Sequence, residues 1–233
     1  MKANLELKPE VKKPEPDKAV LQPGELNVTI EMIVRDKEGK VTERREQQSK
    51  SFLKQFLDLL ILQGSQVPVL HPMKITDTSG NDVEVYASSK TFAADAPDSD
   101  TLVEGTNYGD VYGIQVGTDD TAPIITDNAL GAKVARDDGG HGAGTMHYGG
   151  MTFGAPTSDG TTSHFTITRD LVNQTAGAIT VEEIGLVMLA IMWNTDGADL
   201  IRYYFLVIRD VTGGINVPAG QTLTINYREQ ANV

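Results

Sequence analysis

Three long apolar runs, at 178–192, 200–211 and 215–227, dominate the C-terminal part of the chain. They are rich in β-branched and aromatic residues, and turn-forming clusters at Asn194-Thr-Asp-Gly197, Gly213-Gly214 and Pro218-Ala-Gly220 punctuate the stretch, a pattern that predicts antiparallel β-sheet. Near the other end, Leu26, Val28, Ile30, Met32 and Val34 alternate with other positions at the two-residue period of a half-buried strand. Asp36-Lys-Glu-Gly39 closes that strand into a hairpin, and the polar return strand over 41–47 belongs at a sheet edge. A single helix is predicted over 51–63, capped by Ser49 or Ser51 and ended by Gly64. Its broad apolar face of Phe52, Leu53, Phe56, Leu57, Leu59, Leu60 and Ile61 suits packing on a sheet, with partner binding as the alternative. Residues 67–111 read as a loop-rich insertion holding two short strands, Met73 to Thr76 and Val83 to Ala87, around the turn Asp77–Asp82.

The fold expected is mainly β: one antiparallel β-sandwich domain over 25–233, jelly-roll-like, with one packed α-helix and an extended N-terminal arm over 1–24. That arm holds Pro9, Pro14, Pro16 and Pro23 among Lys and Glu and lacks the apolar periodicity of a core. Its scattered apolar residues Leu5, Val11, Val20 and Leu21 are candidate contacts with a neighbouring subunit, since prolines with fixed φ lower the entropy lost on ordering.

Composition narrows the function classes. At 233 residues and 39% apolar content the chain can bury a sizeable core. Zero cysteines exclude disulfides, thiolate catalysis and Cys-ligated zinc. No apolar run of membrane-spanning length occurs, and Met1-Lys-Ala-Asn-Leu-Glu6 does not have the apolar core of a secretory signal, so neither membrane nor export is expected. Residues 1–54 hold 12 Lys/Arg against 10 Asp/Glu, whereas residues 55–233 hold 8 against 22. So acidic a body opposes binding of nucleic acid.

Catalytic and metal templates are absent from the sequence. Asp137-Asp-Gly-Gly-His-Gly-Ala-Gly-Thr-Met-His147 contains ligand types for zinc or acid–base work, yet its spacing matches no established motif. Its glycines suit positive φ in a loop entering a strand over 146–153. No P-loop or GxSxG occurs, and His71, His141, His147 and His164 carry no recognisable partner set. The oxygen-rich loop Asp95–Asp100 does not have EF-hand spacing for calcium. Asn27-Val-Thr and Asn173-Gln-Thr match glycosylation sequons at chance frequency. No cofactor, metal or catalytic residue is expected.

Charges inside the apolar runs are more telling. Glu183 interrupts Ile179–Leu186, and Arg169 and Arg209 sit in the strand patterns Thr166-Ile-Thr-Arg-Asp and Leu206-Val-Ile-Arg-Asp. A carboxylate desolvated in a sheet needs a partner, and an arginine fork is the natural one. These residues predict a structural ion pair whose disruption costs on the order of 3 kcal/mol if buried and little if exposed.

Three motifs resemble tailed-bacteriophage virion proteins of the tail-fibre, baseplate and head-surface type. They are Gly113-Ile-Gln-Val-Gly-Thr118 running through Thr121-Ala-Pro123 and Asp127 to Leu130-Gly-Ala-Lys-Val134; Val181-Glu-Glu-Ile-Gly-Leu186; and Arg209-Asp-Val211 with Val217-Pro-Ala-Gly-Gln-Thr-Leu-Thr-Ile225. The Ser51–Leu60 segment is similar to a helix found near the N-terminus of such proteins. The resemblance spans about Leu26 to Tyr227, departs from the pattern at Asp119 and Asp120, and carries over no catalytic residue. It implies a non-enzymatic, multi-copy component of a virion assembled in the host cytoplasm, partnered by itself and other virion proteins, with tail, baseplate or fibre favoured over capsid decoration. A module binding host-surface glycans is the alternative from another class.

Overall fold

The computed structural model describes residues 26–65, 73–85, 109–158, 160–193 and 200–232. The arm with Leu5, Val11, Val20 and Leu21, the acidic loop at 95–100, His71 and the turn at 194–197 lie outside the described residues.

The chain forms an antiparallel sandwich with one helix. Its elements are β1 (Leu26–Arg35), β2 (Val41–Gln48), α1 (Lys54–Ser65), β3 (Met73–Thr76), β4 (Asp82–Val85), β5 (Gly113–Gly117), β6 (His147–Phe153), β7 (Thr157–Ser158), β8 (Thr162–Val172), β9 (Ile179–Trp193), β10 (Leu200–Val217) and β11 (Thr222–Asn232). One sheet runs β2-β1-β11-β8-β6 with β7 added on β8, the second runs β10-β9-β5, and β3 and β4 form a small hairpin. The polar strand β2 takes the edge, as its charges require.

Alternation sets the packing. Val28, Ile30, Met32 and Val34 of β1 and Leu223, Ile225 and Tyr227 of β11 bury one face of the large sheet. They join Val181, Ile184, Phe205, Val207, Ile215 and Val217 of the small sheet in a single cluster, which Leu59 of α1 also enters. The other face of the small sheet is covered too. Leu53, Leu130, Val187 and Leu206 make a second buried cluster there, beneath the start of α1 and the loop after β5. Buried on both faces, β9 reads as nearly continuous apolar sequence.

Two irregularities in β10 depart from the sequence expectation. Gly213 and Gly214 do not end the strand; with φ of 69° and 81° they form a bulge with Thr212 opposite Glu182, and pairing with β9 resumes at Ile215. The second shift lies between Leu206 and Ile208. Phe205 and Val207 belong to the main cluster on one side of it and Ile208 on the other, so the inward phase changes from odd to even positions. That change puts Asp210 toward the inter-sheet core and Arg209 toward the covering loop.

The helix starts later than expected because its first residues are used as strand. Phe52 bridges Ile208, Leu53 N donates to Val207 O at 2.9 Å, and Arg209 N donates to Ser51 O at 3.4 Å. The crossover from β2 therefore lies along the open edge of β10 and satisfies it. Ser49 is not a helix cap; its Oγ donates to Asp210 Oδ2 at 2.6 Å, while Lys50 N donates to Asp210 Oδ1 at 3.0 Å. Among the described residues no helix is long and apolar enough to cross a membrane.

Burial raises the Asp210 carboxyl above its ordinary range, and the bonds from Ser49 and Lys50 only partly offset this. A raised acid favours the folded state while protonated, so this contribution is full below the unfolded pKa of about 3.9 and is lost as pH rises through the folded value. Asp210→Asn keeps an acceptor for Lys50 N and a partner for Ser49. It should remove that slope and leave the protein at least as stable at pH 7, as read from urea midpoints of both chains between pH 3 and 8.

Candidate functional site

The side chain of Arg209 organises the loop that covers the small sheet. Its Nε donates to Glu183 Oε2 at 2.7 Å, Nη1 to Asp127 Oδ2 at 2.7 Å and Nη2 to Asp119 Oδ2 at 2.9 Å. Arg209 and Glu183 are buried neighbours across the β9–β10 ladder, and the two aspartates reach in from the loop following β5. Glu183 is saturated further, since Oε2 accepts from Gly131 N at 3.1 Å and Oε1 from Ala132 N at 2.8 Å. Burial by itself would lower the guanidinium pKa; the bonds to Glu183 and Asp127 outweigh it and hold the group above its usual range. Asp119 is held below the ordinary carboxyl range by the Thr121 hydroxyl, then by Thr121 N and Arg209. Asp127 also accepts from Ile124 N at 3.0 Å, which shapes the loop tip.

Glu183 thus pairs with Arg209, and Arg169 takes no part in that pair. Arg169, 2% exposed on β8, donates Nε to Gly149 O at 2.9 Å and Nη1 to Tyr112 O at 3.1 Å and Ile114 O at 2.9 Å, with Nη2 bonded to Gly109 O. Its guanidinium also lies 4.9 Å from the ring centroid of Tyr148. Burial pulls it down to about 10. Backbone carbonyls replace the carboxylate expected from sequence because Arg169 faces the entry to β5 across the sandwich, where main-chain oxygens converge. The result is a clamp between the two sheets.

Gly117 shows how tightly the Arg209 site is packed: a Cβ there would overlap the Glu183 carboxylate. The carboxylate cannot move without losing Arg209 and the two loop amides. This requirement was not apparent in the sequence, where Gly117 read only as part of a motif.

The Asp137–His147 segment is assembled around one contact. Asp137, buried, accepts from Gly139 N and His141 N at 2.9 Å each, and its Oδ2 meets His141 Nδ1 at 2.6 Å. The His141 ring holds the Asp137 carboxyl below its ordinary range. His141 itself takes a positive φ of 49°, as Gly139 and Gly144 do at 98° and 76°. A shallow cleft of about 490 Å³ opens beside it, lined by Thr118, Thr175, Thr180 and Glu182. Thr175 Oγ1 is committed to Asn173 Oδ1 at 2.7 Å and Gly177 O at 3.0 Å, so it is not poised as a nucleophile. Asp138 is not drawn in, bonding Gly140 N instead. Among the described residues no three His, Cys, Asp or Glu side chains gather to hold a metal. The sequon residue Asn173 is fully buried and spends both side-chain atoms within its own turn and on Val217 O.

The remaining feature is apolar and outward-facing. Phe52, Leu53 and Leu59 turn inward, whereas Leu57, Leu60 and Ile61 of α1 are exposed, as are Ile124 and Ile125 at the loop tip. Lys54 N donates to Ile125 O at 3.0 Å, which joins the tip to the first turn of the helix. No family model, curated protein or solved structure matches the chain.

Removing the guanidinium while Glu183 stays buried should be severe. Arg209→Met is expected to lower unfolding stability by about 3–5 kcal/mol in urea titrations. Arg209→Lys should fall between it and the parent, because one ammonium cannot replace three directed N–H groups. In the same measurement Gly117→Ala should cost about 1–3 kcal/mol by displacing the Glu183 carboxylate.

Proposed function

We propose that this chain is a non-enzymatic structural component of a tailed-bacteriophage particle, present in many copies and located in the tail, baseplate or fibre. One observation carries the reading. Of the segments that resemble virion proteins, Gly113–Val134, Val181–Leu186 and Arg209–Val211 meet at the Arg209 guanidinium, where their polar groups hold a loop in shape, while Ser51–Leu60 and Val217–Ile225 lie outside that cluster. Residues spent in this way define a surface and leave no free acid, base or nucleophile at that point. The surface they support bears exposed isoleucines beside an exposed apolar helix face, a composition suited to contact with other proteins.

Multi-angle light scattering on the full chain, followed by imaging of particles containing it, tests the reading. The expected outcome is a defined homo-oligomer with density at the tail. Density on the capsid lattice instead would assign a decoration role, and a strictly monomeric chain that associates with no virion protein would overturn the proposal.

A further inference from the structure

We infer that the distal part of the N-terminal arm, residues 5–13 of a neighbouring copy, docks on the outward face of α1 and the adjoining Ile124–Ile125 tip. This rests on the multi-copy reading above and names the contact through which copies join. The receiving surface combines an exposed helix arc with the loop tip bonded to the start of that helix. Leu57, Leu60 and Ile61 are 52%, 43% and 55% exposed and lie within one arc of the helix, and Ile124 and Ile125 are 62% and 56% exposed. The bond from Lys54 N to Ile125 O joins the tip to the first turn of that helix.

Charge favours this occupant. The loop 118–127 contains Asp119, Asp120 and Asp127 and no Lys or Arg, and at its base three carboxylates share one guanidinium. Residues 1–13 hold four Lys against two Glu, with Lys8, Lys12 and Lys13 interleaved among Leu5, Leu7 and Val11. Leucine anchors flanked by lysines complement an apolar face with an acidic border.

Reach favours a neighbouring copy as the one that receives the arm. Ser49 N donates to Val28 O at 2.7 Å, so the chain enters β1 beside the crossover that leads into α1. Six residues, Ser49 to Lys54, separate that point from the helix, at most about 20 Å of extended chain. Val11 and Leu5 precede Leu26 by 15 and 21 residues. At polyproline spacing this is roughly 45–65 Å, and Pro14, Pro16 and Pro23 oppose doubling back. A reach of that length lets the leucines pass the helix of their own chain, and the contact is assigned to a neighbour on that ground.

Because the chain has no cysteine, the contact can be trapped between separately prepared full-length variants. Val11→Cys mixed with Leu57→Cys under mild oxidation should give a mixed disulfide dimer in clear preference to Val11→Cys mixed with Phe153→Cys, whose site on β6 is 49% exposed. Leu57→Glu with Ile61→Glu, both at exposed positions, should leave thermal unfolding unchanged and raise the protein concentration for half-assembly by about tenfold or more. Equal trapping at both sites, or assembly unaffected by the glutamates, overturns this contact while the multi-copy reading stands. A parent chain that stays monomeric at every concentration overturns the multi-copy reading and this contact with it.

Discussion

A guanidinium removed from water must find an acceptor for its N–H groups, and two arginines meeting that demand fix the layers of this protein. Arg209 draws Asp119 and Asp127 down onto Glu183, so the loop after β5 is bound to the outer face of the small sheet. Arg169 gathers main-chain oxygens from Gly109, Tyr112 and Ile114 and binds the large sheet to the start of β5. Neither arrangement need add net stability, because desolvating an ion offsets much of what its contacts return. Each instead penalises alternatives heavily: a loop in any other position would strand a buried charge.

The two solutions differ in a useful way. Arg209 is held by side chains, so its partners are separable by substitution. Arg169 is held by backbone, so its geometry follows from the path of the chain around Gly149 and β5, where a Cβ at Gly149 would press on Asp170 O and one at Gly113 on the Met151 sulfur. The covering layer is therefore the more adjustable part of the molecule, and the union of the sheets is the less adjustable part.

Much of the architecture was legible because period-two alternation and turn chemistry act locally. β1, β2, the β3–β4 hairpin and the long C-terminal strands follow from their own residues. Three features were not legible, for a common reason: each is decided by a distant segment. The Gly213-Gly214 pair carries turn composition, yet β9 continues alongside it and absorbs the glycines as a bulge. Phe52 and Leu53 have helical periodicity, but the unsatisfied edge of β10 takes them as strand. Arg169 sits in the same pattern as Arg209; only the phase change at Leu206–Ile208 and the course of β5 separate a carboxylate partner from a set of carbonyls. Of the exposed apolar face, the sequence showed the breadth on α1, while the junction with Ile124 and Ile125 needed the loop to be placed first.

The position of β11 has a consequence for how the molecule comes into being. This strand lies between β1 and β8, in register along its length with both, so the large sheet has no continuous centre without it. During synthesis, the β1–β2 hairpin and the β6–β8 strands must wait as separate pieces until β11 leaves the ribosome and is inserted between them. Pairing of Leu26 with Ala231 also makes the sheet's most distant contact one of its central ones. Folding is therefore late and governed by long-range closure, and over that interval the unpaired edges of β1 and β8 are open to the wrong partner.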